Sequence, residues 1–288
     1  LSYIAVRPAD EPALSQRAIA QGTGKALGTV NGLVKQLDAM GYLDGANRIT
    51  DAGRAALAPY RVDNAVIMAA GMSSRFAPLS YEKPKALLKV KGEVLIEREI
   101  RQLQAAGIDD ITIVVGYMKE KLFYLEDRFH VKIVINEDYH RYNNPSTLML
   151  VRDRLKNTFI CSSDNYFEQN PFEPYVYQAY YASLYSTGKT DEYCMVTNRK
   201  GRITGVQVGG SDAWYMIGHA YFDRSFSEKF TQILEREYDS PVTRAGLWED
   251  LYARHIRELE MYIRKYPGGI HEFDWLDELR AFDSAYVT

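Results

Sequence analysis

Between Asn64 and Leu88 the chain reads NAVIMAAGMSSRFAPLSYEKPKALL, and its chemistry begins where the apolar run ends. Gly71, Ser73 and Ser74 leave backbone N–H groups unobstructed, so a loop there can wrap an anion, and Arg75 and Lys85 bring two fixed positive charges to it. The pattern suits a triphosphate: Ala69, Ala70, Gly71, Met72, Ser73 and Ser74 against the nucleotide, Arg75 and Lys85 as the catalytic cations. The spacing is neither G-x-G-x-x-G nor G-x-x-x-x-G-K-[ST], which disfavours both a dinucleotide fold and a P-loop. Asp164, in Cys161-Ser162-Ser163-Asp164-Asn165, ends another apolar run and is a candidate ligand for Mg²⁺. That ion takes one or two carboxylates plus phosphate oxygens and waters, so a second carboxylate is expected elsewhere. The five histidines are scattered without metal-ligand spacing and are read as structural.

The elements that must position these groups follow from periodicity. The run Ala65 to Ala70 reads as a buried parallel strand. Val94 to Gly107 is an amphipathic helix with Ile96, Ile100 and Leu103 on one side. Ile111 to Val115 is a strand, Lys119 to Phe129 a helix, Val131 to Ile135 a strand. A helix begins at Pro145 and runs to about Leu155, and Thr158 to Ser162 is again a strand. Such alternation predicts an α/β, doubly wound mixed sheet, with ligands beyond the carboxyl ends of the strands, where Gly71, Gly116 and Asp164 fall. Tyr193 to Asn198 and Ile203 to Val208 read as a hairpin and Ala213 to Phe222 as a further strand. Near the C-terminus Asp274 lies at a strand–helix junction, where an N-cap needs no further function.

Aromatic residues gather in the second half. Tyr193, Trp214, Tyr215, Tyr221 and Trp248, with Glu249 and Asp250 adjacent, suit a cage for a quaternary ammonium, which is held by cation–π attraction rather than by many hydroxyl contacts.

Residues 1–62 differ in texture and form a separate N-terminal domain, with 63–288 as the second. A short helix around Gln16 to Gln21 precedes a second one from about Leu27 to Met40, which places Val30, Leu33, Val34, Leu37 and Met40 on one face. Two short strands around a turn at Asp44-Gly45-Ala46-Asn47 and a closing helix from Asp51 complete it. The segment resembles a winged helix-turn-helix of the multiple-antibiotic-resistance-regulator kind, on Thr29-Val30-Asn31, Val34-Lys35, Leu37, Gly41-Tyr42-Leu43 and Ile49-Thr50-Asp51-Ala52-Gly53. Up to Tyr60 its basic residues exceed its acidic ones by a single charge, so DNA binding through residues 1–60 is disfavoured against docking or dimerisation, and a homodimer stays open. The lack of an initiating Met and of a full first helix points to residues upstream of Leu1.

The net charge of −3 argues against wholesale nucleic-acid binding. No apolar run approaches the roughly 18 residues of a membrane span, and no signal pattern opens the chain. Cys161 and Cys194 read as inert core thiols of a reducing, cytoplasmic protein.

Ala69-Ala70-Gly71, Ser74-Arg75-Phe76 and Pro84-Lys85-Ala86-Leu87 resemble the signature of nucleotidyltransferases that activate sugars and alcohols. From Val66 onward the chain resembles the bacterial CTP:phosphocholine cytidylyltransferases of the lipooligosaccharide and teichoic-acid decoration pathway. Further motifs carry that likeness: Val115-Gly116-Tyr117, Tyr142-Asn143-Asn144-Pro145-Ser146-Thr147-Leu148, Ser163-Asp164-Asn165, Trp214-Tyr215-Met216, Gly218-His219-Ala220-Tyr221-Phe222, Trp248-Glu249-Asp250 and Glu272-Phe273-Asp274. The resemblance implies CTP and phosphocholine as substrates and CDP-choline and pyrophosphate as products. It also implies Asp274 as the second metal carboxylate and Tyr117, Asn144 and Ser146 near the nucleotide. A phosphate monoester has a second pKa near about 6, so the attacking oxygen needs no general base. The alternatives are phosphoethanolamine or a sugar 1-phosphate as acceptor, or a ligand-sensing transcriptional regulator.

Overall fold

The computed structural model describes residues 1–8 and 11–286. The chain divides into two compact units, Leu1–Arg61 and Val62–Thr288.

In the first unit, helices α1 (Ser2–Ala5), α2 (Gln16–Thr23), α3 (Leu27–Ala39) and α4 (Asp51–Leu57) surround a small core of Ile19, Val30, Val34 and Leu43. Ser15 caps α2 by accepting the Ala18 N–H, and Gly24 stops it in the left-handed region at φ +64°. The apolar face of α3 is narrower than its spacing suggested. Val30 and Val34 are buried, but Leu33 and Met40 are 43% and 63% exposed, because they sit to one side of the stripe that faces the core. In place of a two-stranded wing there is a single antiparallel bridge, Leu43 to Ile49. The Asp44 carboxylate takes the turn N–H groups of Ala46 and Arg48, which competes with a longer ladder.

The second unit is α/β. Its strands and helices are β1 (Asn64–Ala69), β2 (Lys89–Val90), β3 (Glu93–Val94), α5 (Leu95–Ala105), β4 (Ile111–Val115), α6 (Tyr124–Phe129), β5 (Lys132–Ile135), α7 (Pro145–Leu150), β6 (Thr158–Ser162) and β7 (Asn165–Phe167). There follow β8 (Tyr180–Thr197), β9 (Ile203–Phe222), α8 (Arg224–Glu237), α9 (Pro241–Ala245), α10 (Trp248–Arg254), β10 (Tyr262–Lys265), β11 (Ile270–Glu272) and α11 (Leu276–Phe282). Seven strands form one mixed sheet in the order β10-β8-β9-β6-β1-β4-β5. β6, β1, β4 and β5 run parallel, and β9 enters antiparallel to β6 and β8. Along β1 the side chains alternate between two cores: Ala65, Ile67 and Ala69 in one, Val66 and Met68 against the other. A central strand covered on both faces has no polar side, which is why it reads as a continuous apolar run.

Several elements are shorter or longer than periodicity implied. The 119–129 helix breaks into a 3₁₀ turn (Lys119–Lys121) and α6, and the helix from Pro145 ends at Leu150 before a 3₁₀ turn. The hairpin and the separate strand of the second half are one long pair, β8 and β9. Register shifts at Ser186/Lys189 and Thr190/Tyr193 fold that pair back, so that Cys194 pairs with both Gln207 and Tyr215.

Two residues assigned to an aromatic cage are core instead. Trp248 is 1% exposed, stacked on Tyr181 at 5.5 Å and edge-on to Phe222 and Phe230. Tyr221 is fully buried in the opposite core, against Tyr180 and Phe159. The spacing of Trp248, Leu251 and Tyr252 marks one helical face, and that face is the buried side of α10. Trp248→Leu should therefore cost about 2 to 4 kcal/mol in denaturant unfolding. A variant as stable as the parent would place this indole outside the core.

Candidate active site

The loop after β1 is built as an anion cradle. Ser73 adopts a left-handed conformation at φ +53°, and its Oγ accepts the Lys85 N–H at 3.2 Å, which ties the loop to the Pro84-Lys85 segment. A cavity of about 300 Å³ is lined by Ala69, Gly71, Met72, Ser73, Ser74, Arg75, Lys85, Asp164 and Asp274. Lys85 is buried, packed over the Phe76 ring, with Nζ 2.6 Å from Asp164 Oδ2 and 3.5 Å from Asp274 Oδ1. Burial works against its charge, but Asp164 and Asp274 more than offset that, so its pKa lies above the usual lysine range. Arg75 reaches Asp274 at 3.1 Å and lies over the Trp275 ring.

Asp164 and Asp274 meet because β7 pairs antiparallel with β11, Asn165 opposite Glu272. That pairing brings the segment leading into β7 beside the segment leaving β11, and Lys85 Nζ reaches a carboxylate from each. Asp274 is not the cap of α11. That role falls to Glu278, whose carboxylate accepts the N–H groups of Asp274 and Trp275, and so the Asp274 side chain is left to the two cations.

Behind the cradle a second cavity of about 180 Å³ shares Met68, Gly71 and Ser162 with it and adds Ala70, Asn136, Tyr139, Tyr142, Asn143, Asn144 and Thr147. Asn144 is on its wall. Ser146 is behind it, buried, donating to Asn143 O and accepting from Asn136. Tyr117 does not line either cavity; its Oη donates to Ser80 O at 2.8 Å and its N–H to Ala70 O, so it braces the cradle loop. Gly116 allows that approach, since a Cβ there would lie 2.7 Å from Ala70 O and from the Tyr139 ring. Asn136, which sequence reasoning missed, could have been found from its place just beyond the carboxyl end of the parallel strand β5.

A third cavity, of about 490 Å³, adjoins the cradle at Asp274. Its walls include Tyr185, Trp214, Tyr215 and Tyr266, with Glu192 and Glu272 as carboxylates. Lys265 already lies over the Trp214 ring at 4.7 Å and Tyr185 meets it edge-on. Burial first, then Asp164 and Asp274, push the Glu272 carboxyl well above the ordinary range. For Glu192 burial and then Asp274 act in the same direction. Gly218, at φ +62°, leaves the room that Ser162 and Glu272 occupy: a Cβ would meet their oxygens at 2.7 and 3.0 Å.

Of the seven side chains gathered in the cage reading, Trp214 and Tyr215 line this cavity. Besides the buried Trp248 and Tyr221, Tyr193 donates to Asp250 Oδ1 at 3.0 Å, and Asp250 caps α10 through the Leu247 N–H. Glu249 is buried against Tyr181 and Asn144. The cavity is lined by aromatic and acidic side chains, with Tyr185, Glu192 and Glu272 beside Trp214 and Tyr215.

Comparison with known proteins gives a consistent result. Residues 65–233 match the family described as MobA-like NTP transferase domain. The chain is 31% identical over 220 residues to the choline-phosphate cytidylyltransferase of Streptococcus pneumoniae, covering 76% of this chain and 96% of that one. It is 34% identical over 229 residues to the 2-aminoethylphosphonate cytidylyltransferase of Lancefieldella rimae, covering 78% and 93%. The solved CTP:phosphocholine cytidylyltransferase structure from S. pneumoniae superposes with a TM-score of 0.75 at 31% identity, covering 78% of this chain and 99% of that one. With its α/β mixed sheet and the cradle at the strand ends, this chain is a nucleotidyltransferase and belongs to the MobA-like NTP transferase family.

Proposed function

We propose that the chain transfers the cytidylyl group of CTP to phosphocholine, giving CDP-choline and pyrophosphate. The observation that carries the acceptor assignment is the third cavity. Indole and phenol faces beside acidic side chains, Glu192, Glu272, Asp274 and Glu278, suit a poorly hydrated cation, and the cavity adjoins the cradle at Asp274. A phosphate oxygen of the acceptor attacks the α-phosphorus. The bond from that phosphorus to the β-phosphate oxygen breaks, and its electron pair leaves with pyrophosphate. In this reading Gly71, Ser73 and Ser74 orient the triphosphate, and Arg75 and Lys85 neutralise the repulsion between the two phosphates.

Asp164 and Asp274 fit a divalent cation, since Asp164 Oδ1 is buried without a hydrogen-bond partner and the Asp274 side chain is not used as a cap. Mg²⁺ takes one or two carboxylates and fills its shell with phosphate oxygens and waters, so this pair is a sufficient protein ligand set for it. Bound there, Mg²⁺ would add positive charge at the phosphoryl group being transferred.

A second reading of the acceptor is a primary ammonium. The 34% identity to a 2-aminoethylphosphonate cytidylyltransferase supports it, and Glu192 and Glu272 could pair with such a group. Residues 1–62 are read as a winged helix-turn-helix domain; α2, α3 and the Leu43–Ile49 bridge support that. Its few basic residues favour docking or dimerisation over DNA. Among the described residues no helix is long and apolar enough to cross a membrane.

Pyrophosphate release from CTP and Mg²⁺ should be fastest with phosphocholine. Faster release with 2-aminoethylphosphonate or phosphoethanolamine would replace choline by a primary amine, and no release with any acceptor would favour a ligand sensor. Asp164→Asn should lower kcat on the order of a hundredfold or more without unfolding the chain, checked by circular dichroism. Near-normal turnover would remove Asp164 from the site. Trp214→Leu should raise the KM for phosphocholine roughly tenfold while Trp214→Phe retains most binding. An unchanged KM in the leucine variant would refute the cage.

A further inference from the structure

Glu249 opens α10 away from the acceptor cavity, yet it touches the second cavity through one residue. Its carboxylate is 7% exposed and accepts two hydrogen bonds, from Tyr181 Oη at 2.8 Å and from Asn144 Nδ2 at 3.4 Å. The other end of the Asn144 amide is also fixed, since its Oδ1 accepts the Trp248 N–H at 2.7 Å. The neighbouring Asn143 is tied to α9, its N–H donating to Arg244 O at 3.0 Å. Both amide ends of Asn144 are thus held by the first turn of α10, and its orientation in the cavity wall is set from behind.

We propose that Glu249 is a positioning residue: it fixes the Asn144 amide at the wall of the nucleotide cavity, so that nucleotide affinity depends on the charge of Glu249. This rests on the reading of that cavity as part of the nucleotide site. An ionised carboxylate accepts from both donors at once. Protonation removes the negative charge. A proton on the oxygen facing Tyr181 reverses that bond, since the hydroxyl can accept, and leaves the Asn144 N–H a neutral acceptor in place of a charged one. A proton on the other oxygen breaks the Asn144 bond, so in either case the hold on the amide weakens. The transition falls at a useful pH. Burial pushes the Glu249 carboxyl up to about 7, with hydrogen bonds from its own backbone N–H, then from Tyr181 and Asn144, acting the other way and Asp250 adding a further rise. The titratable groups facing it are Tyr181 and Tyr193 from β8 and Asp250 from its own helix. Burial, followed by their carboxylate partners, raises both tyrosines, to about 12 for Tyr193, so they remain neutral donors while Glu249 titrates. Nucleotide affinity should then rise with pH through about 7 as the carboxylate forms.

The test is calorimetric binding of CTP with Mg²⁺ and no acceptor, at pH 6 and pH 8, for the full-length chain and its Glu249→Gln and Glu249→Leu variants. The parent should bind several-fold more tightly at pH 8 than at pH 6, beyond the change that Glu249→Gln shows, because the glutamine cannot ionise and any remaining slope belongs to CTP itself. Glu249→Leu, which keeps neither acceptor, should bind CTP roughly tenfold more weakly at pH 8, about 1.4 kcal/mol, with the acceptor KM unchanged. Retention of the full pH response in Glu249→Gln overturns the proposal. So does a Glu249→Leu variant that binds CTP normally or raises the acceptor KM instead. Failure of the parent chain to bind CTP at either pH overturns the nucleotide reading and this inference with it, which separates the two.

Discussion

The second unit depends on one buried ammonium. Lys85 Nζ lies between Asp164 and Asp274, and those three residues belong to the loop after β1, the end of β6 and the segment after β11. With either carboxylate removed the lysine would keep its desolvation cost and one of its two partners, so the pair of contacts ties the three segments to one another. The same arrangement concentrates opposite charge where a polyphosphate would need it. Arg75 and Lys85 are paired to carboxylates that Mg²⁺ could take over, which would turn both cations toward phosphate oxygens.

Around that point the sheet divides labour by direction. The parallel strands β1, β4 and β6 deliver the cradle loop, the Gly116 turn and Asp164 at their carboxyl ends. The antiparallel β8–β9 pair supplies Tyr185, Glu192, Trp214 and Tyr215 to the adjoining cavity. The helices on the far side, α8 and α10, have little contact with these cavities; their aromatic residues fill a core against β9, and through Glu249 they reach Asn144. The second cavity is therefore built in two layers, a wall of polar side chains and a buried carboxylate that aims one of them.

Much of this was legible in the chain itself. The limits of β4 and β6 match the apolar runs Ile111–Val115 and Thr158–Ser162, because a doubly covered strand leaves no other pattern. The small residues of Gly71 to Ser74, with Arg75 and Lys85, describe a cradle by type and local spacing alone, since a loop of this kind is a local object. The aromatic and acidic lining of the third cavity was readable in part: Trp214 and Tyr215 were, Tyr185, Glu192 and Glu272 were not.

Which aromatic and which carboxylate meet there was decided by tertiary structure. Trp248 and Trp214 are the same residue type with acidic or aromatic neighbours, but the first faces inward on a helix and the second stands on a strand bent by register shifts. No local pattern reports the direction in which a bulged strand turns its side chains. Glu192 and Glu272 come from distant segments and became a pair only through the fold of β8–β9 and the pairing of β11 with β7. The approach of Asp164 to Asp274 has the same cause. Sequence determines what a segment can do locally, through backbone preference and charge, whereas the meeting of segments far apart in the chain depends on strand register, which the whole packed sheet sets.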